Sequence, residues 1–474
     1  MMKNKIDERR INIISRSEEY LYKLINLITL NDLNFHEKGS LYASHNFHSF
    51  PAKFPPQLPS IFISNLTSFR DIVLDPMQGS GTTLLEANLL GRIGIGFDID
   101  PLAIKISKVK NSQLDPIQVA IHGKNIVRNA KIAIQDHPNS LWDYFHNYWQ
   151  PETIEFINYW FDIETQLELL ALICEIQKIQ NTDLKRFFEL ALSAIIITKS
   201  GGVSLALDLG HTRPHRAKLV YSKSGKCIEG IEFVNLPANK TRHLTKYLRS
   251  PIDEFEKRVL NNLKGILEKK GIANEAHILM SDAQQMPLSN NSIDLIVTSP
   301  PYASNAIDYM RAHKFALVWF GYSIDDLSNK RSEYIGSELI NKYEFEDLPI
   351  YSNQIVTKLK NKDVKRGLVL HRYYSEMTRV MREMYRVLKP GKAAIVVVGN
   401  SQIKGIDTET QNCLADIGRS IGFEVPAIGV RNLDRNRRMM PAGGKLDLTS
   451  QIQKRMHKEY VIGFYKSENA TSMK

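Results

Sequence analysis

A doubly wound α/β domain with a mostly parallel sheet, interrupted by a mainly helical insert, is what this sequence predicts. Three observations carry that expectation. The first is a strand, glycine-rich turn, helix and strand in succession at 71–104, DIVLDPMQGSGTTLLEANLLGRIGIGFDIDPLAI. The second is the return of short apolar runs ending in polar turns after residue 270. The third is the break between them, where helical periodicity takes over from about 110 to 270. Strands that alternate with helices build parallel sheets covered on both faces, so the strands themselves are short and apolar.

Taken in order, residues 1–40 read as a helical lead-in, with Leu21, Leu24, Leu27 and Leu30 at helical spacing. SHNFHSFPAKFPPQLP (44–59) contains four prolines, which forbid a continuous helix and leave an ordered loop or extended segment leading into one. It lies in a first catalytic segment, 41–110. There Ile72 to Leu74 is a buried strand, Thr82 to Leu90 a helix stopped by Gly91, and Ile93 to Phe97 the next strand. Residues 111–270 form the insert. ETQLELLALICEIQKI (164–179) and LKRFFELALSAIIITK (184–199) are helical there, followed by a basic loop or hairpin, GHTRPHRAKLVYSKSGK (210–226), and a basic helix-like piece at 240–249. The second catalytic segment, 271–474, opens with two strands, HILMSDAQQMP (277–287) and SIDLIVTSPPY (292–302). A helix, a Pro-Gly turn and an apolar strand follow at 377–401, and EYVIGFYK (459–466) closes the sheet as an antiparallel edge strand.

A length of 474 residues suits a large domain plus an insert, at roughly 100–200 residues per domain. Lys and Arg number 62 against 51 Asp and Glu, a formal charge of +11. That surplus favours a polyanionic partner, because each neutralised phosphate releases counterions, yet many basic proteins bind no nucleic acid. The three cysteines form no CxxC pair, so neither a disulfide framework nor a metal site is expected. The polar start MMKNKIDERR and the lack of a long apolar run predict a soluble, cytoplasmic protein with no membrane span.

In DPMQGSGTT (75–83), Gly79 and Gly81 let the backbone approach a ligand at a helix N-terminus. A tight βα turn would look the same, and the missing GK[ST] ending argues against a nucleoside triphosphate. Asp98 ends the following strand, about 20 residues on, where a carboxylate accepts ribose hydroxyls; Asp100 is its rival. TSPPY, Thr298 to Tyr302, follows another apolar strand.

The pair DPMQGSGTT and TSPPY resembles the amino-methyltransferase family of DNA modification enzymes, and its serine form is most similar to the cytosine-N4 branch. FHSFPAKFPPQLP resembles the family segment packed on the methionine part of the cofactor. The resemblance spans roughly 44–108 and 277–400. It implies a Rossmann-like S-adenosylmethionine-dependent methyltransferase fold with a seven-stranded sheet, S-adenosyl-L-methionine as cofactor and double-stranded DNA as substrate. The biological context it implies is a restriction-modification system, whose cognate restriction endonuclease acts separately, or a solitary modification enzyme. By the same resemblance the cofactor would meet Lys53, Phe54, Asp75, Pro76, Gly79, Ser80, Gly81, Thr82, Asp98, Asp282 and Ala283, with Asp282 on the adenine amino group. Ser299, Pro300, Pro301 and Tyr302 would form the catalytic turn.

The chemistry explains that tetrapeptide. An exocyclic amine conjugated to a base ring has a delocalised lone pair and is a poor nucleophile. The Ser299 hydroxyl and Pro300 carbonyl can accept its two N–H groups and favour a pyramidal nitrogen, while rigid prolines hold the acceptors in place. Tyr302 offers a face for an extruded base. Carbon-5 cytosine methylation needs a cysteine nucleophile, usually after proline, and no cysteine here follows one. Asn305, Asp308 and Tyr309 either line the base pocket or cap a helix. Arg213, Arg216, Lys218 and Arg242 in the insert, with His215, Lys240 and Lys246, and Arg437 and Arg438 with Arg435 near the end, are the candidate DNA contacts or else a solvated face.

The glycine motif precedes TSPPY, whereas most cytosine-N4 enzymes have the reverse order. Adenine therefore stays open as the target, although adenine enzymes usually carry Asp at the position of Ser299. An RNA guanine 2-amino methyltransferase is a further alternative, but only some 70 residues precede the glycine motif, short of a ~100-residue RNA-binding domain. A catalytically inert nucleic-acid-binding module would not need both turns intact.

Overall fold

The computed structural model describes residues 16–50, 53–198, 200–209, 214–230, 244–268, 276–303, 308–340, 343–433 and 458–468. Its centre is a seven-stranded sheet of β1 (Ile72–Asp75), β2 (Ile93–Asp98), β3 (His277–Met280), β4 (Ile293–Thr298), β5 (Leu388–Gly399), β6 (Glu424–Asn432) and β7 (Lys458–Lys466), in the order β3-β2-β1-β4-β5-β7-β6. Every strand is parallel to the rest except β7, which runs antiparallel to both β5 and β6.

The antiparallel strand is therefore not at the edge, as expected, but one place in from it. Composition explains the exchange. β7 buries Val461, Ile462 and Phe464 completely, as a strand paired on both sides should, whereas β6 carries Pro426, which has no N–H to donate and suits an edge. The Pro390-Gly391 turn is also absorbed into the sheet. The helix Val364–Val387 runs directly into β5, whose pairing with β4 slips between Leu388 and Ala393, with Gly391 at φ 73°.

One face of the sheet is covered by α1 (Arg16–Thr29) and α2 (Gln57–Leu66). Leu24, Ile28, Phe62 and Ile63 pack there with Val73, Val297, Ile395 and Val461. The helical lead-in is thus a layer of the sheet domain. β1 and β2 are joined by α3 (Thr82–Leu89), and α4 (Pro101–Asn111) follows β2.

The insert is mainly helical, with α5 (Pro116–Asp136), α6 (Pro138–Tyr148), α7 (Pro151–Trp160), α8 (Ile163–Gln177), α9 (Thr182–Ile196) and α10 (Pro251–Glu268). Its apolar core is continuous with Leu102, Ile106 and Val109 of α4 and with Phe315 and Trp319 after the TSPPY turn. The basic stretch forms the expected hairpin, Leu219–Tyr221 against Cys227–Glu229. The described part of 240–249 is not helical: Thr245–Tyr247 pairs in parallel with Leu219–Tyr221, using β-prone Thr and Tyr. Among the described residues, no helix is long and apolar enough to cross a membrane.

Candidate active site

The glycine turn and the TSPPY turn leave neighbouring strands. β1 and β4 are parallel partners, Val73 opposite Leu295 and Leu74 opposite Ile296. Two side-chain bonds tie their ends together. The Thr298 hydroxyl donates to Asp75 Oδ1 at 2.7 Å, and Thr83 Oγ1 at the start of α3 donates to the Val297 carbonyl at 3.1 Å. Burial pushes the Asp75 carboxyl up to about 6, opposed by these hydroxyls. Both turns therefore open on the carboxyl edge of the sheet, where open α/β sheets bind ligands.

Within the glycine turn, Gly79 and Gly81 have φ of 48° and 69°, left-handed values that L side chains rarely adopt. The Gly79 N–H donates to Asp98 Oδ2 at 2.9 Å. Gly81 serves packing instead, since a Cβ there would lie 2.1 Å from Ser107 Oγ on α4. The buried Lys110 ammonium donates to the Ser80 carbonyl at 2.7 Å, and the Ser80 and Thr82 hydroxyls face each other at 3.4 Å. Asp75, Pro76, Ser80, Gly81 and Thr82 are all buried and shape the turn from behind, while Gly79 is half-buried.

The geometry separates the two aspartates. Asp100 caps α4 by accepting from the N–H of Leu102 and Ala103, and also takes bonds from His313 Nδ1 (2.6 Å) and the Tyr334 hydroxyl (2.8 Å). Its acceptors are committed, and His313 holds its carboxyl below the usual range despite burial. Asp98 is half-buried at the strand end and accepts one backbone N–H on each oxygen, from Gly79 and from Asp100, both at 2.9 Å. That leaves lone pairs for two hydroxyl donors. Burial, with the Asp100 charge beside it, pushes the Asp98 carboxyl up to about 7.

Asp282 reaches the same edge beyond β3, where the Ser281 N–H donates to the Asp98 carbonyl at 3.2 Å. Asp282 is exposed and accepts from the Gln284 backbone N–H at 2.9 Å, whereas Ala283 is buried. Lys53 donates to the His45 carbonyl at 2.7 Å. Phe54, the residue expected beside the methionine moiety, packs in the apolar core on the α1–α2 face of the sheet. Phe50, not singled out from sequence, stands over the glycine turn: a Cβ on Gly79 would come within 3.0 Å of its ring, which stacks on Tyr309 at 5.2 Å. The aromatic run around it was its only signal.

On the TSPPY turn Pro300 is buried, while Ser299, Pro301 and Tyr302 are half-buried. The Ser401 hydroxyl at the end of β5 clamps the turn by donating to the Ala303 carbonyl at 2.6 Å. Tyr302 donates to Glu459 Oε1 at 2.8 Å, a partner that sequence reading missed because it comes from the far end of the chain. Asp308 is paired with Arg311 and Arg331, and Asn305 lies outside the described residues.

The DNA-contact candidates divide. Arg213, Lys240, Arg242, Arg435, Arg437 and Arg438 lie outside the described residues. Arg216 grips both oxygens of Glu229 and lies over the Tyr159 ring, so its charge is spent inside the insert. His215 faces Asp208 at 3.1 Å. Lys246 is buried and donates to the Ser200 and Ala206 carbonyls; burial brings it down to about 7. Lys218 is exposed.

The sheet order, its one reversed strand and the glycine turn with its strand-end carboxylate are those of a Rossmann-like S-adenosylmethionine-dependent methyltransferase fold. Residues 7–109 match a family model described as DNA methylase. The chain is 24% identical over 401 residues to the type II methyltransferase M.MvaI of Kocuria varians, covering 81% of this chain and 83% of that one. It is 23% identical over 461 residues to type II methyltransferase M.BsoBI of Geobacillus stearothermophilus, covering 89% and 84%. Type II methyltransferase M.MjaII of Methanocaldococcus jannaschii shares 39% identity over 79 residues, 17% of this chain and 15% of that one. The comparisons agree with the resemblance carried by the motifs: this chain is similar to DNA methylases, type II methyltransferases among them.

Proposed function

We propose that this protein methylates the exocyclic amino group of cytosine in duplex DNA, giving N4-methylcytosine, as the modification enzyme of a restriction-modification system. The coarser reading, an S-adenosylmethionine-dependent DNA methyltransferase, rests on the family match and the type II relatives. The single observation carrying the mechanism is the Thr298–Asp75 bond of 2.7 Å, which locks the amine-binding turn to the cofactor turn.

The residues fit the cofactor: Asp98 keeps acceptor capacity for ribose hydroxyls, and Gly79 leaves the turn without a side chain beside it. When bound, S-adenosylmethionine supplies an electrophilic methyl group on a sulfonium. The rest is positioning by the chain. Ser299 and the Pro300 carbonyl accept the two amine N–H groups, so the nitrogen lone pair is drawn out of conjugation. The half-buried Tyr302 ring, tethered by its hydroxyl, offers a face to the extruded base. No side chain needs to form a covalent bond to the base.

Ser299 favours cytosine, and the glycine-first motif order favours adenine as the second reading. Modified-base sequencing of DNA from a host expressing the protein decides between them. N4-methylcytosine at a fixed site is expected; 6-methyladenine would overturn the choice of base, and methylation of transfer RNA but not duplex DNA would overturn the substrate.

A further inference from the structure

We infer that Glu459 is a positioning residue for the methylation reaction, holding the Tyr302 ring in the orientation that receives the target base. The inference rests on the function proposed above and extends it to a residue 157 positions away in the chain.

The reversed strand puts Glu459 there. The parallel strands all end at the active-site edge, so the antiparallel β7 begins at that edge, with Glu459 paired to Gly399 at the end of β5 and to Arg431 on β6. Glu459 is 8% exposed and Arg431 5%, and the two form an ion pair. Arg431 also donates through Nε to the Leu33 carbonyl at 3.1 Å, which anchors it to the segment after α1. With one carboxylate oxygen held by Arg431, the other accepts the Tyr302 hydroxyl at 2.8 Å. Burial and the Glu459 charge hold the Tyr302 hydroxyl well above its ordinary range, so it stays a donor at any working pH.

A stacking ring would not need a buried acceptor if its orientation were free. Burying a charged pair stabilises a fold little against an apolar pair of the same volume. What the pair supplies at this position is a fixed, charge-assisted acceptor for a residue of the catalytic turn. Its loss would slow base capture and methyl transfer and leave cofactor binding, which involves other strand ends, untouched.

Two variants separate positioning from folding. Glu459→Gln weakens the pair with Arg431 but keeps an amide, an oxygen on one side and an NH2 on the other, that can still hold the Tyr302 hydroxyl, which then accepts if the oxygen turns to Arg431. Arg431→Met with Glu459→Met removes that oxygen without stranding a buried charge. Cofactor affinity is measured by calorimetry, and single-turnover methyl transfer with labelled cofactor on unmethylated genomic duplex DNA. The expected result is transfer within about threefold of wild type for Glu459→Gln, even if its Tm falls, and a loss of at least about tenfold for the Met pair, matching Tyr302→Phe, with cofactor affinity unchanged. If the Met pair does not fold, Arg431→Leu with Glu459→Leu supplies the same comparison, again with no buried charge left unpaired. A folded acceptor-less variant that transfers at the wild-type rate, or a Glu459→Gln loss as large as that of Tyr302→Phe, overturns the inference. A wild-type protein that transfers no methyl group overturns the proposed function instead.

Discussion

Ser299 and Asp98 are the two side chains whose chemistry can be tested one atom at a time. In the proposed mechanism, removing the Ser299 hydroxyl takes away one of two acceptors for the amine. Ser299→Ala should slow transfer by roughly 10²-fold, the usual effect of losing one preorganised polar contact, with cofactor affinity held within about twofold. Rapid-quench transfer and calorimetry check the two halves separately. Asp98 makes a prediction in pH. Its carboxyl sits at about 7 without cofactor, raised by burial and by Asp100. Ribose hydroxyls are donors and favour the ionised form, so cofactor affinity should rise between pH 6 and 8 and level off above, with proton release on binding below pH 7. The sign for stability is opposite. A carboxyl raised on folding stabilises the fold at low pH, and that contribution is lost as pH climbs from about 4 to about 7, so the Tm gain from cofactor should be largest above pH 7. A pH-independent cofactor affinity would show that Asp98 does not take the ribose.

At the scale of elements, the βα turn is where backbone geometry and packing meet. Gly81 begins α3 in a left-handed conformation and lies against Ser107 of α4. Gly81→Ala adds backbone strain of about 1–2 kcal/mol and a clash that α4 must move to relieve. A Tm drop of about 2 °C is expected for a loss of roughly 2 kcal/mol in a chain of 474 residues. An unchanged Tm would mean that α4 yields freely. The elements also show how far local pattern reaches. The strand–turn–helix at 72–89 was legible because the short apolar strand, the glycines and the Leu- and Ala-containing run after them each point the same way, although α3 is buried on all sides rather than on one. The strand at Thr245–Tyr247 was not, because Lys246 looks like a surface charge until Ser200 and Ala206 surround it with carbonyls. The place of Phe54 was not legible for a related reason: the sequence shows an aromatic in that segment but not the sheet face it packs on.

For the molecule as a whole, the net charge of +11 is long-range and its distribution decides what it does. Arg216 is neutralised by Glu229, whereas Lys218, two residues on, is exposed. On a duplex, Lys218→Ala should lower the slope of log affinity against log salt by about 1, and Arg216→Ala should leave it unchanged while lowering stability by about 0.5–1 kcal/mol. Fluorescence anisotropy across a salt series reads both. A slope change with Arg216→Ala would mean that the insert opens its ion pair to the phosphates.

By itself the sequence determined the doubly wound class, the glycine turn at 75–83, the strand-end acid at Asp98 and the Ser-Pro-Pro-Tyr turn at 298–302, because each is local: a few consecutive residues whose types leave the backbone little choice. Only the tertiary structure decided which acid keeps free lone pairs, which arginine is already spent, and that β7 folds back inside β6 to bring Glu459 to Tyr302. Those outcomes depend on contacts between residues far apart in the chain, and such contacts are set by how whole strands and helices fill space together rather than by any short run of residues.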